Sequence, residues 1–342
     1  MPVLDSRADS LVAAARAGDA RSLARLISLV EDGDAAPGSG LLRPVLRAVA
    51  PHTGGAWVIG LTGSPGVGKS TVTDRLVRAY RAAGHRVAVL AVDPTSPFSG
   101  GALLGDRVRM SDHATDPDVF IRSMATRGHL GGLSWAAPQA LHVLDAAGFD
   151  VICVETVGVG QAEVEIAGLA DSTLVVMAPG LGDSIQTAKA GILEIADVFV
   201  VNKSDRPGAQ DVVRDLRNML AMAGSGDGGA RAGVGAGDGG VRTGAGARAW
   251  KPPIVSVTAT TGEGIDELTA KLDAHKTWLG ESGLRQERRV RRAREEISAI
   301  AVAEIRRKVG GLPGESRLDE LAAQVADGKL DPYSAADELI AG

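Results

Sequence analysis

The sequence contains few of the residues that build disulfide-bonded, metal-binding or membrane proteins. Among its 342 residues there are 1 cysteine and 6 histidines, and aromatic residues make up only 3% of the chain. A single cysteine excludes an internal disulfide and cannot form a metal site alone. No apolar run approaches the ~18 residues that a membrane span needs. Because aromatic residues are so few, the core must depend on Val, Leu, Ile and Ala.

The charge balance and the N-terminus indicate neither a nucleic-acid partner nor export. A net charge of −5 produces no general attraction to nucleic acid. The first residues include Asp5, Arg7 and Asp9 and lack the apolar core of a signal peptide. We therefore expect a cytoplasmic protein that binds no nucleic acid and no membrane. Cys153 lies in an apolar run, which predicts a small buried core residue.

The most informative segment is GSPGVGKST, which fits the phosphate-loop pattern GxxxxGK[ST]. An apolar run over residues 57–62 predicts a buried strand before it, and a helical pattern that ends at Gly84 follows it. In such loops, backbone N–H groups surround phosphate oxygens, and the next helix contributes the positive end of its dipole. We therefore predict that a nucleoside triphosphate binds to Gly63, Ser64, Pro65, Gly66, Val67, Gly68, Lys69, Ser70 and Thr71.

A magnesium ion is expected beside this loop. Lys69 would neutralise the β and γ phosphates, while the Ser70 hydroxyl would ligate Mg²⁺. Asp93 follows a predicted strand over residues 87–92, and open parallel sheets bind ligands at the carboxyl ends of their strands. Its alternative role is a turn cap, since Pro and Ser residues follow it. Asp106 is a further candidate metal ligand, with a solvated helix face as the alternative.

A second motif begins where the strand predicted over residues 150–154 ends. Glu155 and Gly158 resemble the DxxG motif, with Glu replacing Asp. In that motif the acid holds Mg²⁺ through water, and the glycine N–H senses the γ phosphate. Val159 rather than a glutamine follows Gly158, so intrinsic hydrolysis is predicted to be slow. We assign Lys69, Asp93 and Glu155 as catalytic candidates, with Asp93 orienting the attacking water by position alone.

A third motif predicts the base. Asn202, Lys203, Ser204 and Asp205 match NKxD at the end of a predicted strand. Its Asp accepts hydrogen bonds from N1–H and the 2-amino group of guanine, a donor pair that adenine lacks, so adenine would leave a carboxylate unpaired. GTP or GDP is therefore the predicted nucleotide. The short loop that contacts the base in GTPases is predicted at Thr258, Ala259 and Thr260.

The alternation of strand and helix patterns predicts an α/β fold of the P-loop NTPase type, with a mostly parallel central sheet flanked by helices. Residues 1–50 form a predicted helical extension, and residues 51–279 form the nucleotide domain. Within that domain, residues 224–249 are a Gly/Ala-rich stretch that is predicted to be a disordered surface insertion. Residues 280–342 form a helical C-terminal extension.

A basic helix in this C-terminal extension is the predicted dimer contact. Val290, Ile297, Ala301 and Ile305 form one apolar stripe along it. Its arginines suggest contact with RNA or a membrane as the alternative, but interleaved glutamates dilute their positive field. We therefore predict a homodimer.

With these motifs in order, the sequence resembles the MeaB/ArgK family of P-loop GTPases, accessory proteins of methylmalonyl-CoA mutase within the SIMIBI class. The segments that carry the resemblance are GSPGVGKST, VDPTSPFSGGALLGDRVRM, ETVGVGQAE, PGLGDSIQTAKAGILEIAD and NKSD. The Gly/Ala-rich insertion departs from the family pattern, and so does TAT at residues 258–260, where members often have Ser-Ala.

The resemblance implies a homodimeric GTPase that gates delivery of adenosylcobalamin to an acyl-CoA mutase and protects that mutase from inactivation. It also implies three switch segments, at residues 93–109, 155–163 and 180–189. Two alternatives remain. A metallochaperone GTPase of the same class would need a His or Cys cluster, which this composition argues against. A kinase that phosphorylates a transport protein would transfer the γ phosphate rather than release it.

Overall fold

The computed structural model describes residues 2–35, 42–93, 110–113, 115–125, 136–156, 162–180, 194–224, 249–310 and 315–341. The chain groups into two compact units, Met1–Arg288 and Arg289–Gly342. Nearly all of the Gly/Ala-rich stretch predicted at residues 224–249 lies outside the described residues. The division into two helical extensions around a nucleotide domain stays a prediction.

The first unit contains a seven-stranded sheet in the order β3-β2-β4-β1-β5-β6-β7. Its strands are β1 (Trp57–Thr62), β2 (Val87–Asp93), β3 (Val119–Ala125), β4 (Val151–Thr156), β5 (Ser172–Met177), β6 (Val198–Asn202) and β7 (Ile254–Val257). Every pair of neighbouring strands is parallel. The predicted fold class is confirmed.

The described helices belong to both units. They are α1 (Pro2–Arg16), α2 (Ala20–Ala35), α3 (Leu42–Val49), α4 (Lys69–Ala82), α5 (Ala136–Ala146), α6 (Ala162–Leu169), α7 (Ala209–Gly224), α8 (Ile265–Glu281), α9 (Leu284–Gly310), α10 (Glu315–Ala326) and α11 (Pro332–Ala341). Gly18 lies between the end of α1 and the start of α2. None of the helices in the described part of the chain combines the length and apolar character that crossing a bilayer requires.

The central strand β1 is buried along its whole length, as parallel strands covered on both faces usually are. Alternate side chains serve opposite faces of the sheet. Val58 belongs to the same core cluster as residues of α1, α2, α3 and α5, whereas Ile59 and Leu61 belong to the cluster that includes α4 and α8. Cys153 of β4 is fully buried, as predicted, and burial raises the pKa of its thiol to about 12. Its role is therefore structural.

The N-terminal helices belong to the same core as one face of the sheet. Apolar residues of α1, α2 and α3 lie in one cluster with those of β2 and β4. A polar contact adds to this packing, because Arg122 of β3 pairs with Glu31 of α2 and also donates to Ser28. Hydrophobic burial and the Arg122–Glu31 ion pair therefore hold these helices against the sheet.

A buried polar network joins the amino ends of β5 and β6 to α8 and α9. Asp197 accepts hydrogen bonds from the Arg288 guanidinium at 3.0 and 3.1 Å and from the Thr173 N–H at 2.9 Å. The His275 ring lies between two partners, with Nε2 3.3 Å from Asp197 and Nδ1 2.6 Å from the Ser172 hydroxyl. The network lies at the opposite end of the strands from the phosphate loop.

Electrostatics explain why a carboxylate is stable in this buried place. Burial alone would raise the pKa of Asp197, but Arg288 and His275 hold it well below its usual range. Burial also disfavours the Arg288 charge, yet Asp197 raises the pKa of the guanidinium above its ordinary value. Each charge is therefore stabilised mainly by the other. The His275 ring also packs against three tryptophans: Trp57, Trp250 and Trp278.

We predict that Asp197→Asn lowers the free energy of unfolding by about 3–5 kcal/mol at pH 7, because it leaves the buried Arg288 charge unpaired. The folded-state pKa of Asp197 is lowered, so its stabilisation is present above the unfolded pKa of about 3.9 and is lost as pH falls. The gap between wild type and variant should therefore narrow below about pH 4. Urea denaturation at several pH values measures this gap.

Asp211→Asn is the control for this prediction. Asp211 pairs with Arg214 at an exposed helix surface, with both side chains more than half exposed. Loss of such a pair should change stability by about 1 kcal/mol or less. Equal effects of the two substitutions would show that the buried network does not stabilise the fold.

Candidate nucleotide site

The phosphate loop lies at the centre of the carboxyl edge of the sheet. It leaves β1, which pairs with β4 on one side and β5 on the other, and it enters α4 at Lys69. Because all strands are parallel, the ends of β4, β6 and β7 lie at this same edge. The topology therefore brings the motifs predicted after β1, β4, β6 and β7 to one edge, although they are far apart in sequence.

Two glycines of the loop occupy positions where a side chain does not fit. Gly63 has φ +140°, and a Cβ there would lie 2.1 Å from the carbonyl oxygen of Val176 in β5. Gly68 has φ +94°, and its Cβ would lie 2.4 Å from Nδ2 of Asn202. Both combine a left-handed backbone with close approach to a neighbour, which only glycine tolerates. The loop is thus packed against β5 and the end of β6.

Lys69 begins α4 and is 6% exposed. Its ammonium donates to the carbonyls of Gly63 at 2.7 Å and Ser64 at 3.2 Å, so it folds back across the loop that precedes it. The helix dipole adds positive potential at the same end of α4. A buried cation beside a helix N-terminus favours an anionic ligand, as the predicted phosphate role requires.

Glu155, near the carboxyl end of β4, contacts Ser70 in the first turn of α4. The Ser70 hydroxyl donates to Glu155 Oε1 at 2.5 Å, and the Thr73 hydroxyl donates to Oε2 at 3.1 Å. Glu155 is 4% exposed, so both hydroxyls contact a buried acid. The motif analysis missed Thr73. Its spacing was a usable signal, since a residue three positions after Ser70 lies on the same helix face.

This donor set fits a magnesium ion. Mg²⁺ prefers oxygen ligands and is usually held by one or two protein oxygens together with nucleotide phosphates and water. The Ser70 hydroxyl and the Glu155 carboxylate place such oxygens side by side next to the phosphate loop. No nitrogen or sulfur ligand is needed for this chemistry.

Asn202 connects the phosphate loop to the loop after β7. Its Nδ2 donates to the Val67 carbonyl at 2.8 Å, and its Oδ1 accepts from the Ala259 N–H at 3.1 Å. Lys203, with φ +58°, donates to the Gly66 carbonyl at 2.7 Å. The first two residues of the predicted base motif therefore brace the phosphate loop in this structure. That bracing role was not part of the sequence prediction.

The other motif residues lie where β6 and β7 end side by side. Asn202 pairs with Val257 in the sheet register, and the hydroxyls of Ser204 and Thr258 lie 2.8 Å apart. Ala259 is 2% exposed, while Asp205 and Thr260 are exposed. The structure thus brings residues 202–205 and 258–260 together. Asp205 supplies an exposed carboxylate, and the loop of residues 258–260 is partly buried.

Three predicted site residues have a different status. Asp93 is the last residue of β2, so its backbone lies at the carboxyl edge of the sheet. Asp106 and Gly158 lie outside the described residues. The same holds for most of the three switch segments at residues 93–109, 155–163 and 180–189. Their assignments stay predictions.

The all-parallel sheet and the glycine loop on its central strand define a P-loop nucleotide-binding protein. Comparison with known proteins specifies the family: the family model described as methylmalonyl-CoA mutase-associated GTPase MeaB matches residues 23–312, and the chain belongs to this family. It is a GTP hydrolase, as its relatives are named.

Similarity to individual proteins extends over most of the chain. A Pyrococcus abyssi protein named as a GTPase is 46% identical over 97% of this chain and 95% of its own length. GTPase ArgK of Escherichia coli is 36% identical over 80% of this chain and 77% of its own length. The crystal structure of a LAO/AO transport system kinase superposes with a TM-score of 0.68 at 25% identity, covering 98% of this chain and 96% of that one.

We predict that Gly68→Ala weakens GDP binding by at least about tenfold, because the new Cβ displaces Asn202 and reshapes the loop. Gly84→Ala is the matched control, since Gly84 has φ +86° and no atom lies within 4 Å of the added Cβ. Both variants should lose about 1–3 kcal/mol of stability from left-handed backbone strain. Titration calorimetry with GDP should separate them. An equal loss of affinity in both would contradict the geometric explanation.

Proposed function

We propose that this GTPase uses GTP hydrolysis to gate delivery of adenosylcobalamin to an acyl-CoA mutase, such as methylmalonyl-CoA mutase, and to protect that mutase from inactivation. The observation that carries this proposal is the match of residues 23–312 to a family described as mutase-associated. The geometry of the carboxyl edge supports it, because the phosphate loop, Glu155 and the loops at residues 202–205 and 258–260 lie at this one edge.

The phosphates are proposed to bind over the loop of residues 63–71. The Lys69 ammonium would exchange its two loop carbonyls for β and γ phosphate oxygens, which are stronger, charged acceptors. The N–H groups of the loop and of the first turn of α4 would donate to the same phosphates. This arrangement orients the γ phosphate and stabilises the negative charge that develops on it.

Ser70 and Glu155 are proposed to hold Mg²⁺, with Asp93 and Asp106 as further candidate ligands. The ion would supply positive charge at the β and γ phosphates. The Ser70 hydroxyl donates to Glu155 in this structure, and rotation of that hydroxyl would let its oxygen and the Glu155 oxygen both accept from the ion. Thr73 keeps the Glu155 carboxylate oriented from its other oxygen.

The base is proposed to bind between residues 202–205 and the loop of residues 258–260. Asp205 would accept from N1–H and the 2-amino group of guanine, and its exposure leaves the carboxylate accessible. Asn202 and Lys203 support this pocket, because their side chains donate to carbonyls of the phosphate loop. Intrinsic hydrolysis is proposed to be slow, with Asp93 orienting the water, and to accelerate when the mutase binds.

A homodimer is proposed through α9. In the second unit, Val290, Ile297 and Ile305 are 50%, 67% and 59% exposed, and Val302 is 45% exposed. A stripe of large apolar side chains along one helix is the surface that an equivalent helix of a second copy would cover.

The oligomeric state tests this contact. We expect light scattering to report about twice the chain mass of 35.0 kDa for the wild type. Ile297→Asp should shift the mass towards one chain, since it places a charge in the apolar stripe. Leu318→Asp is a matched control, because Leu318 is also exposed, at 54%, but belongs to α10. A wild-type mass of one chain would contradict the dimer.

Binding to methylmalonyl-CoA mutase tests the main proposal. Purified mutase should be retained by the immobilised GTPase to different extents with GDP and with a non-hydrolysable GTP analogue, and it should increase the rate of phosphate release. In Asp205→Asn, the concentration of guanine nucleotide needed for this response should rise by about 10- to 100-fold. Xanthine nucleotides should restore it, because Asn donates to the 2-oxo group that replaces the guanine amine.

Two outcomes would contradict the proposal. Mutase retention that is absent or independent of the nucleotide would remove the gating role, and an unchanged base preference in Asp205→Asn would remove the assigned guanine contact. The structural similarity to a protein named LAO/AO transport system kinase makes phosphate transfer the second candidate. Radiolabel from γ-labelled GTP should appear as inorganic phosphate in a GTPase and on a partner protein in a kinase.

A further inference from the structure

Arg75 lies on α4 and holds the loop that follows β7. Its Nε donates to the Ala259 carbonyl at 2.7 Å, and its Nη2 donates to the Thr260 carbonyl at 2.5 Å. Two nitrogens of one planar guanidinium thus bind two consecutive peptide carbonyls. The planar fork fixes both the position and the direction of the two carbonyls. A lysine would fix them less well, because its ammonium is a single group on a flexible chain.

Within the described residues, backbone and Asn202 contacts hold other groups of this loop. The Thr258 carbonyl accepts from the N–H groups of Thr261 and Gly262, so the turn is closed by its own backbone. The Ala259 N–H donates to Asn202. Arg75 therefore supplies contacts that the turn does not make by itself.

The arginine also connects two parts of the proposed site. Helix α4 begins with Lys69 and Ser70, which belong to the phosphate side, and Arg75 reaches from the same helix to the base side. Asn202 makes a parallel connection from the Val67 carbonyl to the Ala259 N–H. Ala259 is therefore held at both of its backbone polar groups: Arg75 binds its carbonyl, and Asn202 accepts from its N–H.

Because the peptide bond is planar, the contact of Arg75 with the Ala259 carbonyl also affects recognition of the base. In a trans peptide the C=O and the following N–H point in opposite directions. Because Arg75 holds the Ala259 carbonyl, it also determines the direction of the Thr260 N–H. A fixed N–H donor matches the keto oxygen at position 6 of guanine and opposes the amino group that adenine carries there.

We propose that Arg75 is a positioning residue for guanine recognition, acting through the peptide between Ala259 and Thr260. This inference rests on the proposed guanine site. The neighbouring arginines of α4 do not share the role: Arg78 pairs with Asp74 and Asp112, and Arg81 pairs with Asp116 and Asp118.

Steady-state hydrolysis of GTP and ATP by the full chain tests this role. Arg75→Ala should raise KM for GTP about tenfold and leave kcat within about twofold, since the phosphate side is unchanged and KM reports affinity when hydrolysis is slow. Its preference for GTP over ATP should fall by a similar factor. Arg75→Lys should recover part of the loss. Arg78→Ala is the control and should behave as wild type.

The outcomes separate this inference from the proposed function. A wild type without preference for GTP would overturn the guanine site itself. A wild type with that preference, combined with an unchanged KM in Arg75→Ala or with a fall in kcat alone, would overturn only the role of Arg75. Thermal melting checks whether Arg75→Ala folds. If it does not, Arg75→Lys is the test variant: an intermediate KM supports the role, and a wild-type KM and base preference contradict it.

Discussion

The parallel arrangement of the central strands is the constraint on which the nucleotide site depends. Strand β1 lies between β4 and β5 and is buried on both faces, so the loop that leaves it has a rigid base. The same arrangement places the end of β4 beside the start of α4. Ser70 and Thr73 can contact Glu155 for this reason alone, because the loop and the acid belong to neighbouring parallel strands. The predicted metal site is thus a product of strand order.

The base side depends on a second pair of neighbours, β6 and β7. Their register sets Asn202 opposite Val257, and the two loops that follow are joined through Ser204 and Thr258. Asn202, Lys203 and Arg75 then tie this side to the phosphate loop and to α4. A bound nucleotide would therefore meet one connected framework rather than two separate pockets. Such preorganisation reduces the ordering cost of binding.

The opposite end of the sheet is organised by charge burial instead. Asp197 lies directly before β6, and its carboxylate is held by Arg288, at the start of α9, and by the backbone of β5. Strand β6 thus carries a structural ion pair at its amino end and the proposed base motif at its carboxyl end. The separation lets the carboxyl edge keep exposed or rearrangeable polar groups, because stability is supplied elsewhere.

Much of this molecule could be predicted from the sequence. Apolar runs predicted strands β1, β2 and β4, and the glycine loop predicted its own position between β1 and α4. These features are local, since each depends on residues close together in the chain. The family resemblance was likewise carried by short segments, and the family model matches residues 23–312.

The tertiary structure alone decided which distant residues meet. No spacing rule indicated that Arg75 would hold the carbonyls of Ala259 and Thr260, or that Asn202 would brace the phosphate loop. The Asp197, His275 and Arg288 network was equally invisible, because its members come from a strand end and two helices. Motifs encode residue types in local order, whereas these contacts depend on strand order and helix packing, which bring together residues that no local pattern relates.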